Sequence, residues 1–285
     1  MPRGLDHLAH VVRDLDAAGE FYGRLGFTVG ARNRHPWGTH NRIVQLPGFF
    51  VELLAVGEPE KVAAATAGTG AFTRDFLARG EGLAMLALEG HDAEADAQAF
   101  HRAGIGDLAP FRFEREGRTP DGRAVKLGFS LALARDARAP AMRFFTCQQH
   151  YPENFWNPAF QAHGNAAVAI AAIVLVAENP SDHHIFLSAF SGVRDLHSTS
   201  AGVTAETPRG AIQAMDPAAF RLHFGVEAPD VSAGARLAAA TFIVRDLAAL
   251  RALLRSAGVA AREQMGRIVV GPESASGATL AFEAG

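Results

Sequence analysis

Two side chains stand out for the chemistry they could share. His7 lies in the strand-like run Leu5–Val12, and Glu52 interrupts the apolar run Phe49-Phe50-Val51-Glu52-Leu53-Leu54. A carboxylate in such a run is costly to bury unless a cation satisfies it. Strand alternation places His7 with Ala9 and Val11 on one face, and Glu52 with Phe50 and Leu54 on one face. Read for chemistry, His7 and Glu52 are two ligands of one divalent ion. Imidazole and carboxylate suit Zn, Fe, Mn or Ni, and ligand type alone does not choose among them. Read for structure, Glu52 pairs with an arginine such as Arg42, and His7 is a hydrogen-bonded strand histidine. The single cysteine, Cys147, excludes a disulfide framework and any Cys-rich zinc module. It reads as a buried small hydrophobe rather than a nucleophile.

The two tryptophans sit in polar, turn-forming segments, His35-Pro36-Trp37-Gly38-Thr39-His40-Asn41-Arg42 and His150-Tyr151-Pro152-Glu153-Asn154-Phe155-Trp156-Asn157-Pro158. Rings beside Asn, His and Arg supply what a small-molecule pocket needs, apolar walls with a few placed polar groups. Trp37 and Trp156 are therefore expected to line a pocket, with His35, Asn41 and Arg42 as polar contacts. Arg42 suits a carboxylate or enolate oxygen. The structural alternative has Trp37 covering the open end of a sheet and Trp156 capping a linker. His183-His184 reads as a helix start, where adjacent histidines diverge and make a poor ligand pair. Gly68-Thr69-Gly70 reads as a loop without phosphate-binding context.

These residues need elements to hold them. Leu5–Val12 reads as a strand, Asp14–Leu25 as a helix stopped by Gly26, and a further strand starts at Phe27. Arg42–Leu46 and Phe49–Val56 read as strands joined at Pro47-Gly48. The unit is βαβββ. Residues 5–27 align without a gap on 237–259, so that Val12-Arg13-Asp14-Leu15 falls on Val244-Arg245-Asp246-Leu247 and Gly26 on Gly258. Two weaker copies fit between them. One runs from Leu83–Leu88 to Met142–Thr146. The other begins with strand Ile170–Val176 and closes with strands near Leu196–Val203, Ala211–Met215 and Phe220–Phe224. The expected architecture is α+β, with four βαβββ modules forming two curved-sheet barrels. Residues 1–150 would be one pair of modules with the metal site, 151–165 a linker, and 166–285 a second pair.

Of the 285 residues 48% are hydrophobic and 20% charged, a globular balance that excludes disorder and fibrous repeats. A net charge of −3 argues against an electrostatic nucleic-acid binder. The first residues carry no apolar run resembling a signal peptide, and the longest apolar stretch, Ala166–Ala177, is too short to cross a bilayer. A soluble, cytoplasmic protein without membrane partners is expected.

The run Leu5-Asp6-His7-Leu8-Ala9-His10-Val11-Val12-Arg13-Asp14-Leu15, the helix ending at Gly26-Phe27, and Phe50-Val51-Glu52-Leu53 resemble the vicinal oxygen chelate superfamily. Its glyoxalase-like lyases, epimerases, extradiol dioxygenases and resistance proteins are built from βαβββ modules, and the His35–Arg42 segment looks like its glyoxalase-like subgroup. The resemblance implies that His7 and Glu52 bind the metal, with partners from the paired module. Here the sequence departs from the pattern. Leu83 or a neighbour stands where unit two should have its histidine, and its last strand, Phe144–His150, has no carboxylate. His150 becomes the candidate third ligand, with Gln148 a weaker contact on the same face. In the last unit Ala239 matches His7 and Glu283 falls at the place of Glu52, so a C-terminal metal site looks lost. The implied activity is metal-dependent lyase or isomerase chemistry next to a carbonyl of a small oxygenated metabolite. Glu52 or an ion-bound water would move the proton. The alternatives are a non-catalytic small-molecule binder of the same fold and a ring-cleaving extradiol dioxygenase. Sheet edges in such modules also suggest a homodimer.

Overall fold

The computed structural model describes residues 1–64, 68–119 and 122–285. The first module comprises β1 (Leu5–Val11), α1 (Leu15–Arg24), β2 (Asn33–Arg34), β3 (Thr39–Leu46) and β4 (Phe49–Val56). After α2 (Pro59–Ala64) and α3 (Gly68–Leu77) comes the second: β5 (Gly82–Gly90), α4 (Ala93–Arg102), β6 (Phe111–Arg118), β7 (Ala124–Ala134) and β8 (Arg143–Gln149). A short helix α5 (Pro152–Phe155) and a 3-10 turn (Pro158–Phe160) lead to the third: β9 (Ala167–Val176), α6 (His184–Ser191), β10 (His197–Thr199), β11 (Gly202–Glu206) and β12 (Ala211–Met215). A further helix, α7 (Pro217–Phe224), precedes the fourth: β13 (Arg236–Val244), α8 (Leu247–Ser256), β14 (Arg262–Gln264), β15 (Arg267–Val270) and β16 (Thr279–Ala284).

The strands form two 8-stranded sheets of the same design, β2-β3-β4-β1-β5-β8-β7-β6 and β10-β11-β12-β9-β13-β16-β15-β14. In each, the first strands of two modules pair antiparallel at the centre, and each also pairs parallel with its own module's last strand. The first sheet curls until its two edges approach: Arg115 on β6 donates from Nη1 to Oδ1 of Asn33 on β2 at 3.1 Å. The expected α+β fold of tandem βαβββ modules is what the chain adopts.

The module starts share a local cause. Asp14, Asp92 and Asp246 each cap a helix by accepting from backbone N–H groups of its first turn. The apolar face that follows, Leu15, Ala18 and Tyr22 in α1, packs on the sheet. One apolar core runs through both sheets. Phe27, for example, meets Phe242 at 5.2 Å and Phe282 at 6.1 Å between ring centroids.

Four segments differ from the sequence expectation. The strand expected from Phe27 is absent, since residues 27–32 lie outside helix and strand and β2 is only Asn33–Arg34. Leu196–Val203 is not one strand but spans the turn of the antiparallel β10–β11 pair. Phe220–Phe224 is the end of helix α7, because Asp216 caps it, Pro217 occupies its first turn, and Phe220 and Phe224 share its buried face one turn apart. Gly68–Gly70 opens helix α3 rather than forming a loop. No helix among the described residues is long and apolar enough to cross a membrane.

Candidate metal and substrate site

The curled first sheet encloses a cavity of about 60 Å3, lined by His7 from β1, Asn41 from β3, Glu52 from β4, Met85 from β5, Arg115 from β6 and Cys147 from β8, among others. Alternation along each strand brings these side chains inward. His7 is 5% exposed and its ring stacks on Phe50 at 4.4 Å, with Phe145 edge-on at 5.2 Å. A register shift between Leu5 and His7 in the β1–β5 pairing accompanies the approach of Asp6 to its neighbour. Asp6, 3% exposed, accepts from His7 Nδ1 at 2.5 Å and from Gln149 Nε2 at 3.0 Å. With Nδ1–H committed to the carboxylate, the lone pair of His7 lies on Nε2, which no hydrogen bond reaches among the described residues.

Glu52 is held by a second polar set. Asn41 Nδ2 donates to Glu52 Oε1 at 2.5 Å and to His35 Nε2 at 3.3 Å, while Asn41 Oδ1 accepts from Asn33 Nδ2 at 3.1 Å. His35 Nδ1 completes its ring by donating to Thr39 Oγ1 at 2.9 Å. Burial pulls the His35 pKa down to about 4, although Glu52 pushes the other way. His35 is therefore neutral near pH 7, and its 3.6 Å approach to Glu52 is not an ion pair. From Arg115 through Asn33 and Asn41, donors and acceptors alternate to Glu52 Oε1, and Oε2 has no hydrogen-bond partner among the described residues.

Among the described residues, one group of three potential metal ligands has all its donor atoms within 4.8 Å of one another: Asp6, His7 and Cys147. Glu52 stands outside that group but lines the same cavity. Cys147 is buried, and burial first, then Asp6 and Glu52, push its thiol pKa up. An imidazole, a carboxylate and a thiol thus surround one small space, a donor set that a divalent ion such as Zn or Fe accepts.

The cavity gathers His7, Glu52, His35, Trp37 and Asn41 from the sequence candidates. Trp37 stacks on His35 at 4.7 Å and meets Phe113 edge-on at 4.8 Å. The other candidates lie elsewhere. Arg42 is on the opposite face of β3, bonded to Asp16 at 2.7 Å, so it is not the cation beside Glu52. Gln148 also points outward, and its Oε1 accepts from Ala93 N at the start of α4 at 3.2 Å. His150 follows the end of β8 and contacts Ser130 Oγ at 2.8 Å, away from the cavity lining. Trp156 packs edge-on to Phe50 and Phe155 and lines an outer cleft of about 800 Å3. That cleft shares Ile43, Arg115 and Phe155 with the inner cavity.

Sequence reasoning missed Asp6, Arg115 and the place of Cys147. Arg115 had a signal, since alternation along Phe111-Arg112-Phe113-Glu114-Arg115 sets it on the face of the two phenylalanines. In the last module the structure corrects one correspondence. Ala9, two residues after His7, pairs with Glu52, while the matching Thr241 pairs with Ala281. Ala281, not Glu283, therefore holds the place of Glu52, and Glu283 instead pairs with Arg267 at 2.7 Å.

A glyoxalase-like domain model matches residues 5–190, and the chain belongs to that family. No curated protein sequence matches the chain significantly. Among solved structures, a hypothetical protein from Staphylococcus aureus is similar with a TM-score of 0.71 and 14% identity, covering 99% of each chain. A triple mutant of 4-hydroxymandelate synthase from Streptomyces coelicolor is similar with a TM-score of 0.59 and 15% identity, covering 99% of this chain and 92% of that one. A xylose isomerase-like TIM barrel/4-hydroxyphenylpyruvate dioxygenase fusion protein gives 0.57 and 14%, over 100% of this chain and 49% of its own. At these identities the likenesses show the shared fold alone.

Proposed function

We propose that the protein is a metal-dependent enzyme acting on a small oxygenated metabolite, by lyase or isomerase chemistry at a carbon next to a carbonyl. The observation that carries this reading is the pair of pre-set donors. His7 is fixed through Nδ1 by Asp6 and Glu52 through Oε1 by Asn41, and both line one buried cavity. His7 and Glu52 would hold the ion, and Cys147, rather than His150, is the third donor at the cavity wall. A divalent ion there supplies Lewis acidity to a substrate with adjacent oxygens.

The chain's own groups do the rest. Asp6 and Asn41 hold their partners in place before substrate arrives, so less ordering is required on binding. The rings of Phe50, Phe145, Phe113 and Trp37 keep water from the reacting centre. Glu52 Oε2, without a hydrogen-bond partner among the described residues, is the oxygen available to the ion, and it can take or return a proton only while released from it.

Elemental analysis of purified protein, repeated on His7→Ala and Glu52→Ala, tests this. Near-stoichiometric metal in wild type, lost in both variants, is expected. A wild type that takes up no metal even after soaking would falsify the enzyme reading and leave a ligand-sequestering protein of the same fold.

A further inference from the structure

The outer cleft carries a charge that the molecule as a whole does not. The chain has a net charge of −3, yet the described residues lining the cleft include Arg32, Arg34, Arg115, Arg118 and Arg123 against Glu116 and Glu153. Arg32 is committed to Asp16 at 2.5 Å, and Arg118 to Glu116 at 3.4 Å. Arg34, Arg115 and Arg123 have no carboxylate at ion-pair distance among the described residues.

Arg115 occupies the junction, lining both the cleft and the inner cavity. Its Nη1 donates to Asn33 Oδ1 and to the Glu116 carbonyl, but its Nε–H is buried without an acceptor. A buried donor left unbonded favours any ligand oxygen that reaches it. Beside these cations the cleft presents Phe155, Trp156 and Phe160, an apolar wall for a ligand body.

Size and charge then fix a direction. The inner cavity of about 60 Å3 admits only a small end of a molecule, and Arg115 is the one arginine it shares with the cleft, where the other unpaired arginines that would hold an anion lie. The cleft of about 800 Å3 has room for the remainder and attracts one. We propose that the ligand is an anionic small molecule with an apolar body. Its carboxylate or phosphate group binds in the cleft at Arg115, supported by Arg34 and Arg123, while its uncharged oxygenated end enters the inner cavity. This rests on the inner cavity being the reaction site, and it names the substrate class of that site.

The protein has two tryptophans, Trp37 on the inner cavity and Trp156 on the cleft, so intrinsic fluorescence reports on both spaces. Wild type is titrated with phenylacetate, phenyl phosphate and the neutral phenylacetamide. Saturable quenching by the anions is expected, at least about tenfold tighter than by the amide and weakened by added salt. Tighter binding of phenyl phosphate identifies the group as phosphate, and tighter binding of phenylacetate identifies it as carboxylate. Arg115→Gln should weaken both anions by about tenfold and leave the amide unchanged, which a merely structural role for Arg115 would not do. If that variant fails to fold, the exposed pair Arg34→Gln and Arg123→Gln, made together, carries the same expectation. Equal affinity for anions and amide, no saturable response to any of the three, or variants that bind anions like wild type would each overturn the proposal. Metal content measured on the same preparation keeps the two ideas apart. A metal-bearing protein indifferent to ligand charge sinks only this inference, and an anion-selective protein without metal sinks only the enzyme reading.

Discussion

Removing the carboxylate behind His7 should cost metal affinity in a graded way that the hydrogen-bond pattern sets. Asp6 offers two acceptor oxygens to two donors, His7 Nδ1 and Gln149 Nε2. In Asp6→Asn, one acceptor becomes a donor, which at first sight opposes donor to donor. Gln149 provides the way out, because its Oε1 is buried without a partner. An amide flip there would accept from the new Asn Nδ2 and leave Asn Oδ1 to receive His7 Nδ1–H. Only the charge is then lost, and exchanging a charge-assisted for a neutral hydrogen bond removes about 1–1.5 kcal/mol, about tenfold in affinity. Asp6→Ala has no such rescue. It leaves the packed imidazole without its Nδ1 acceptor and able to move its proton to Nε2, at the upper end of the loss of about 10–100-fold found when the partner of a liganding histidine is removed. Competition against a chromophoric chelator with Zn2+ measures all three proteins, with circular dichroism as the folding check. Folded Asp6→Ala binding Zn2+ as tightly as wild type would refute the orienting role. Equal losses in Asn and Ala would refute the proposed Gln149 rescue.

Three further outcomes are expected. His10 is buried with Nε2 donating to the Ser276 carbonyl and Nδ1 accepting from Tyr22 Oη, and burial lowers its pKa below the ordinary 6.5 against smaller opposing effects of Ser276 and Glu81. The unfolded chain binds that proton first, so the stability from neutral His10 is full above 6.5 and lost as pH falls through its folded value; His10→Gln should flatten the pH dependence of urea denaturation, and parallel curves would count against it. Phe27→Ala removes a buried ring packed on Phe242 and Phe282 of the second sheet and should cost about 3–5 kcal/mol in denaturant unfolding, a change below about 1 kcal/mol being the contrary result. Cys147, buried with its thiol pKa pushed up, should resist a disulfide reagent at neutral pH until the protein unfolds, whereas reaction at the rate of free cysteine would show the cavity to be open.

The sequence made the frame legible because its signals are local and repeat. An Asp cap before an apolar helical face recurs at Asp14, Asp92 and Asp246, and period-two alternation turns His7 and Glu52 inward without reference to anything distant. Other features depend on a register that counting cannot supply. On β8 the inward residues are Phe145 and Cys147, with Gln149 continuing on that side to Asp6; shifting by one residue placed Gln148 and His150 there instead. Glu283 misled for a related reason, since loop lengths between helix and last strand differ among modules, and only the pairing of Thr241 with Ala281 locates the true counterpart of Glu52. The contact of Asp6 with His7 accompanies an irregularity in the β1–β5 ladder, which leaves no mark in residue type. Helix α7 is legible locally, because Asp216-Pro217 is a helix start, and it competes with the module repeat, which asks for a strand there.

That helix helps explain why one half of the chain keeps a polar site and the other does not. Seven residues before each helix cap, the modules carry His7, Met85, Ala172 and Ala239, counting back from Asp14, Asp92, Asn179 and Asp246. The last-strand residues paired two positions further on are Glu52, Phe145, Gln213 and Ala281. The first pair of modules thus retains His7 and Glu52 and fills the two symmetric positions with Met85 and Phe145, whose side chains narrow the cavity and hold the His7 ring edge-on. In the second pair, Ala239 and Ala281 pack in one apolar cluster with Phe220 and Phe224 of α7. Short side chains on the strands make room for large ones from the inserted helix, and close packing leaves that cluster without donors or space for an ion. Near-identical backbone designs therefore carry opposite interiors, and what each pair of modules can bind follows from the side chains on its strands rather than from the fold that positions them.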